Sequence, residues 1–416
     1  MTMNFSKHTS VIFVLVLSML TPMAANIFSE KFITYIPSLV AATFLILASN
    51  KKTKLNIIFI VVLLTVFGYA LFQLISGRGI GSGGILLIYF LVLFFTTHLK
   101  KSSASQIMGI MFLINIVFVV TLYLELLIVL TGQQDVLINL FNSDVVTKYK
   151  WYNHADFIKY LGFSNISGLN SIFLGSQSAS MLAVLSTIYF LLENKFNKRY
   201  KLFVVALILI PFTSTMTANI VFTLLLLLLI YYFSNNFLYR RRYIVTIILI
   251  FTLTFFSQSM FDLIVYKLGS AENIAIYMKA FINPIAGFLD LNLNDTIFGT
   301  GIHVKDSYGN DFGFLELLKQ AGIFLIALSL FIIVYIVSKV RFFTKKRCSF
   351  LEYDLWRNIA LINALFLLGW LLSLVHYTMA VEPGVREIFA FNIAVCLVSI
   401  KRMRVIRFEE MPLQVK

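Results

Sequence analysis

Charge is scarce in this chain. Asp, Glu, Lys and Arg make up 13% of its 416 residues, about half the ~25% usual in a soluble domain. Hydrophobic residues account for 59%, too many for a water-facing surface to absorb. A soluble multidomain architecture is therefore excluded, and lipid is the expected solvent. Cysteine is also rare. Cys348 and Cys396 both fall on the side assigned below to the cytoplasm, so no disulfide framework is expected. No CxxC, HExxH or clustered His/Cys spacing marks a metal site, and no Walker P-loop marks an ATPase. On the side assigned to the exterior no DxD pair appears that would hold a metal-bound nucleotide sugar, and Glu352-Tyr-Asp354 faces inward. No cofactor is expected.

The charge that is present is unevenly placed. Lys and Arg number 34 against 19 acids. They gather in short clusters between apolar runs: Lys51, Lys52, Lys54; Lys100, Lys101; Lys195, Lys198, Arg199, Lys201; Arg240, Arg241, Arg242; Lys339, Arg341, Lys345, Lys346, Arg347; and Lys401, Arg402, Arg404, Arg407. Short basic loops mark the cytoplasmic face of a membrane protein. Assigning alternate loops to alternate sides puts 24 basic and 5 acidic residues inside, 10 basic and 13 acidic outside, and Glu125 within a span. The basic balance is thus a topology signal, and nucleic acid is not an expected partner.

The apolar runs predict about twelve transmembrane helices in a single integral domain, 1–416. They cover 11–29, 32–49, 55–75, 82–98, 106–130, 171–192, 202–216, 218–234, 243–259, 312–338, 357–375 and 386–400. Both termini are then cytoplasmic. The first run has a signal-peptide character, with Lys7 before it and Ala24-Ala25 at its end, and is read as an uncleaved anchor. Ser214-Thr215-Met216-Thr217 is read as an outer reversal between two short spans.

Two external loops stand out by length, 132–170 and 260–311; loops this long are usually functional. The second holds an apolar-periodic stretch, Ile274 to Phe288, expected to form an amphipathic helix at the membrane surface. The external face carries cations (Arg78, Lys148, Lys150, Lys159, Lys267, Lys279, Arg386), proton acceptors (Asp311, Glu316, Glu382, His303, His376) and the aromatics Trp151, Tyr152 and Tyr308. Cations beside a carboxylate or imidazole suit a phosphorylated substrate with a proton to remove. Each residue also has a plainer role. Asp311 is placed like the N-cap of the helix that follows it, Arg78 can be a loop charge, and the loop lysines can meet anionic lipid. Glu316 and Gln320 share one helix face, and Glu125 is an intramembrane carboxylate that serves either a structural hydrogen bond or the substrate.

With these residues in view, the chain resembles the Wzy-type O-antigen polymerases of the O-antigen ligase/polymerase superfamily. The resemblance rests on Gly168-Leu-Asn-Ser-Ile-Phe-Leu-Gly175-Ser-Gln-Ser-Ala-Ser180 after the first large loop. It rests equally on Gly299-Thr-Gly301 and on Asp311-Phe-Gly313-Phe-Leu-Glu-Leu-Leu-Lys-Gln-Ala-Gly322 at the end of the second. The many spans, the two long loops and His376 near the last outer turn complete it. Family members commonly carry arginines in both large loops, whereas these loops contain only lysines. The ligase branch carries a His just before the helix after the second loop; here the residues are Asn310-Asp311, which favours polymerase.

The resemblance implies an all-helical membrane glycosyltransferase of the GT-C type in a bacterial inner membrane. Its substrate would be undecaprenyl-pyrophosphate-linked oligosaccharide, and its partners membrane lipid and a chain-length regulator protein. Asp311 and His376 are then the candidate catalytic proton acceptors. Arg78, Lys150, Lys279, Arg386 and Glu316 are the candidate substrate-binding residues. A ligase and a lipid-linked-oligosaccharide flippase are the alternatives.

Overall fold

The computed structural model describes residues 7–28, 31–49, 68, 75, 83–131, 133, 176–197, 200–213, 224–225, 271–300, 313–344, 350–373 and 384–410. The predicted spans at 55–75, 218–234 and 243–259 and the first large loop lie outside these residues, apart from Gly68, Ile75, Gln133, Leu224 and Leu225.

Every element among the described residues is helical. They are α1 (Lys7–Ile27), a 3-10 turn (Lys31–Tyr35), α2 (Ile36–Ser49), α3 (Gly83–Leu99), α4 (Ala104–Leu130), α5 (Ser176–Asn197), α6 (Tyr200–Thr213), α7 (Ala271–Leu289), α8 (Leu293–Phe298), α9 (Gly313–Thr344), α10 (Leu351–Ser373) and α11 (Val385–Glu410). Three of them are long and apolar enough among the described residues to cross a membrane: Ala104–Ile128, Leu317–Thr344 and Leu351–Ser373. Shorter apolar segments run over His8–Pro22, Ile33–Leu45, Ile85–Leu99 and Ala179–Glu193. The exterior agrees with a lipid solvent. Phe331 is 70% exposed, and Val334, Leu124, Leu127 and Leu39 are also more than half exposed, a distribution that water would not tolerate over so many large side chains.

The chain forms two compact units, the first from Met1–Ile116, Gly287–Ser307 and Gly313–Lys416, the second from Val117–Ala286 and Tyr308–Phe312. In the first unit α10 and α11 pack together and bury Ala360, Ala364, Ala390 and Ala394. Small side chains let helix backbones approach closely where no hydrophobic force drives association. Cys396 Sγ donates to the Ala360 carbonyl at 3.8 Å, and the Arg402 guanidinium lies 5.8 Å from the Trp356 ring. Rising residue numbers on one helix thus meet falling numbers on the other, and the pair is antiparallel.

The helix α3 runs the opposite way to α10, beside α11. Its Phe95 ring meets Phe391 edge-on at 5.6 Å, and Arg402 Nη2 donates to the Lys100 carbonyl at 3.1 Å. On its other side Tyr89 Oη and Ser329 Oγ are 2.6 Å apart, above an apolar cluster of Ile85, Leu317, Ala321, Leu325 and Ile326. The helices α3, α9 and α11 therefore point in one direction, the relative sense that alternating loops require. α1 and α2 complete this unit through Phe13, Phe44 and Phe94.

In the second unit α5 and α6 pack as neighbours. α5 is buried without a break from Ala179 to Phe190, the polar Ser180, Ser186 and Thr187 included. Tyr123 Oη donates to the Val205 carbonyl at 2.8 Å and fixes α4 against α6.

Candidate functional site

The described part of the second large loop begins with α7, Ala271–Leu289, the amphipathic helix that the apolar periodicity of 274–288 predicts. A short turn leads into α8, which is tightly capped. The Asn292 side chain accepts from the Asp295 amide at 2.8 Å and donates to the Asp295 carboxylate at 2.7 Å. The Gly299 amide closes the other end on the Asp295 carbonyl at 2.8 Å. Such caps satisfy the orphan amides and carbonyls of a helix too short to satisfy its own.

The chain then docks on α9. The predicted span at 312–338 reads as one uninterrupted helix; the structure instead breaks it at Gly322, whose φ of 74° and ψ of 162° lie outside helical space. The break has a partner. A Cβ on Gly322 would strike the Ile297 carbonyl and come within 2.5 Å of the Gly299 nitrogen. A Cβ on Gly299, itself at φ 79°, would strike the Gln320 carbonyl. Two backbones meet where neither tolerates a side chain.

In an unbroken helix the Lys319 carbonyl would accept from the amide of residue 323. Here Thr300 takes that carbonyl twice, through its amide at 2.8 Å and its hydroxyl at 3.1 Å. The break and the docking are one arrangement, since the carbonyl freed by Gly322 is satisfied by Thr300.

Lys319 stands at this junction. A Cβ on Gly287 would lie 2.6 Å from Lys319 Nζ, so the ammonium rests against the last turn of α7. It is partly buried. One role is local: a cation near a helix C-terminus opposes its partial negative charge. A cation in a mostly apolar span is also the usual mark of a substrate or ion site. Gln320, next to it, is buried.

Arg386 begins α11 and is 3% exposed. Its Nε donates to Glu387 Oε1 at 2.8 Å, its Nη2 donates to the Thr34 carbonyl at 2.6 Å, and the guanidinium lies 5.3 Å from the Tyr35 ring. Glu387 is fully buried and also accepts from the Gly384 amide at 2.8 Å. This predicted substrate-binding cation thus clasps the start of α11 to the 3-10 turn before α2. Lys319 and Arg386 lie toward the same end of the parallel helices α9 and α11. Lys339 and Arg404, each about twenty residues further on, line a cavity at the other end.

Lys279 is exposed on α7. Glu316 lies in α9 one turn before Gln320, in the segment that Gly322 terminates. Asp311, His376, Arg78 and Lys150 lie outside the described residues. Glu125 is buried in α4 and has an interaction partner. Among the described residues no three of His, Cys, Asp and Glu gather as metal ligands would. Sequence reasoning passed over Lys319, whose signal was a lone lysine in the apolar run Phe314-Leu-Glu-Leu-Leu-Lys-Gln-Ala. No protein-family model, curated protein or solved structure matches the chain.

Proposed function

We propose that this protein is a membrane glycosyltransferase of the Wzy type, with about twelve spans and a GT-C-like architecture. It polymerises undecaprenyl-pyrophosphate-linked oligosaccharide repeats at the outer leaflet of a bacterial inner membrane, with both termini in the cytoplasm. The observation that carries this reading is the junction of Gly299 and Thr300 with Lys319 and Gly322. Two segments on which the family resemblance rests, both at the end of the second large loop, fit each other backbone to backbone. Lys319, a partly buried lysine whose ammonium rests against the last turn of α7, stands beside that junction.

The chemistry demanded is substitution at an anomeric carbon. A sugar hydroxyl of one lipid-linked repeat attacks the anomeric carbon of the growing chain, its proton passes to a base, and lipid pyrophosphate leaves with the bonding pair. Cations stabilise the leaving pyrophosphate; Lys319 joins Arg78, Lys150, Lys279 and Arg386 in that role. Asp311 or His376 accepts the proton, and Glu316 hydrogen-bonds the sugar. A chain-length regulator and membrane lipid are the expected partners.

Deleting the gene in its host tests this reading. Loss of a polymerase leaves surface glycolipid capped with a single repeat unit. Bare core without any repeat would identify a ligase or a flippase and reject the proposal.

A further inference from the structure

At the end of α9 and α11 opposite to Lys319 and Arg386, a cavity of about 330 Å³ opens between the two helices. Lys339, Arg404 and Arg407 line it together with Tyr335, Phe342, Phe343 and Ile400. Its wall is fixed from behind: the buried Tyr353 hydroxyl donates to the Phe343 carbonyl at 2.8 Å and holds the last turns of α9 on α10. Lys339 Nζ lies 5.5 Å from the Tyr335 ring.

Both helices end here, and each C-terminus contributes roughly half a negative charge. Lys339, Arg404 and Arg407 bring three cationic side chains to this lining, a set that suits an anion. Its mouth continues along one face of α9. Phe331, Val334, Tyr335 and Phe342 are all about half exposed or more, and their spacing puts them on a single helical stripe. A phosphate in the cavity would therefore have an apolar track running away from it along the helix.

We infer that this cavity binds the phosphodiester headgroup of an anionic phospholipid, with an acyl chain lying along Phe331, Val334 and Tyr335. The volume is at the lower end of small-molecule sites, enough for a headgroup and not for a whole lipid. Basic pockets between membrane helices hold anionic headgroups in this way, and the aromatic residues at the mouth suit the interface between headgroup and acyl region. The inference rests on the membrane setting of α9 and α11 and not on the polymerase reading.

The test is native mass spectrometry of the purified full chain in neutral detergent, titrated separately with phosphatidylglycerol, phosphatidylcholine and inorganic phosphate. Phosphatidylglycerol is expected to be retained over phosphatidylcholine. Lys339→Gln/Arg404→Gln/Arg407→Gln should weaken that retention roughly a hundredfold, about fivefold for each cation removed. Lys401→Gln, at an exposed basic position on the same helix, should leave it unchanged. Equal retention by the triple variant overturns the site. Displacement of the lipid by millimolar inorganic phosphate reassigns the cavity to a soluble anion and overturns the lipid assignment. If the triple variant does not fold, Lys339→Gln alone decides: about a fivefold loss supports the site and none rejects it.

Discussion

Gly299 and Gly322 occupy each other's side-chain space. Each has a positive φ, and a Cβ on either would strike the backbone of the segment that carries the other. Gly299→Ala and Gly322→Ala should each cost about 1–3 kcal/mol from backbone conformation alone, with the clash in addition. Because both disrupt one interface, the double variant should cost less than the sum of the singles. Gly109, with nothing within 4 Å of its Cβ position, is the control. Gly109→Ala should be neutral or stabilise by roughly 0.5–1 kcal/mol. Thermal unfolding in detergent measures all four.

Lys319 and Gly287 offer a way to move a charge without removing it. The atom that a Gly287 Cβ would meet is the tip of a flexible side chain, so Gly287→Ala should fold normally and push the ammonium aside. If Lys319 stabilises the leaving pyrophosphate, Lys319→Ala should lower polymerisation about a hundredfold or more, and Gly287→Ala should lower it with little change in stability. A Lys319 that only caps α7 would produce a loss of stability in Lys319→Ala and normal turnover in Gly287→Ala. Rates from purified protein together with melting curves separate the two.

Arg386 must be tested with its partner. Arg386→Ala strands the buried Glu387 carboxylate and should destabilise by about 3–5 kcal/mol, so lost activity in that variant reports folding as much as chemistry. Arg386→Met combined with Glu387→Gln removes both charges and should recover most of the stability. If Arg386 also meets the pyrophosphate, this double variant will be stable and inactive. Near wild-type activity would confine Arg386 to clasping α11 on the Thr34 carbonyl.

Topology has its own test. Reporter fusions after Lys54, Lys101, Lys201, Arg242 and Lys346 should read cytoplasmic, and fusions within 135–165 and 262–308 external. A cytoplasmic reading for either large loop would move the proposed site to the wrong side of the membrane for its substrate.

Much of the helical layout is legible in sequence because apolar runs and basic ends are strong local signals. α3, α4, α7 and α11 begin within about three residues of their predicted starts, the uncertainty normal for helix ends. α9 and α11 run on past the predicted 338 and 400 through Lys339, Arg341, Lys401, Arg402 and Arg404. Lys and Arg are good helix formers once the chain leaves the apolar layer. The break at Gly322 is not legible, since the apolar pattern continues through it and its conformation answers to Gly299, more than twenty residues earlier. Nor is the Arg386–Glu387 pair, because adjacent residues on a helix normally face apart. It forms at the first turn, where Arg386 turns back to Thr34.

The central claim is tested most directly in a reconstituted membrane. The purified full chain is placed in liposomes with undecaprenyl-pyrophosphate-linked repeat units from its own host, and the products are resolved by length. The account predicts a ladder of chains of increasing repeat number, release of undecaprenyl pyrophosphate in step with each addition, and loss of both in Lys319→Ala and in one of Asp311→Asn and His376→Ala. Lipid-linked repeats that cross the bilayer or move onto lipid A-core, without growing in length, would contradict it.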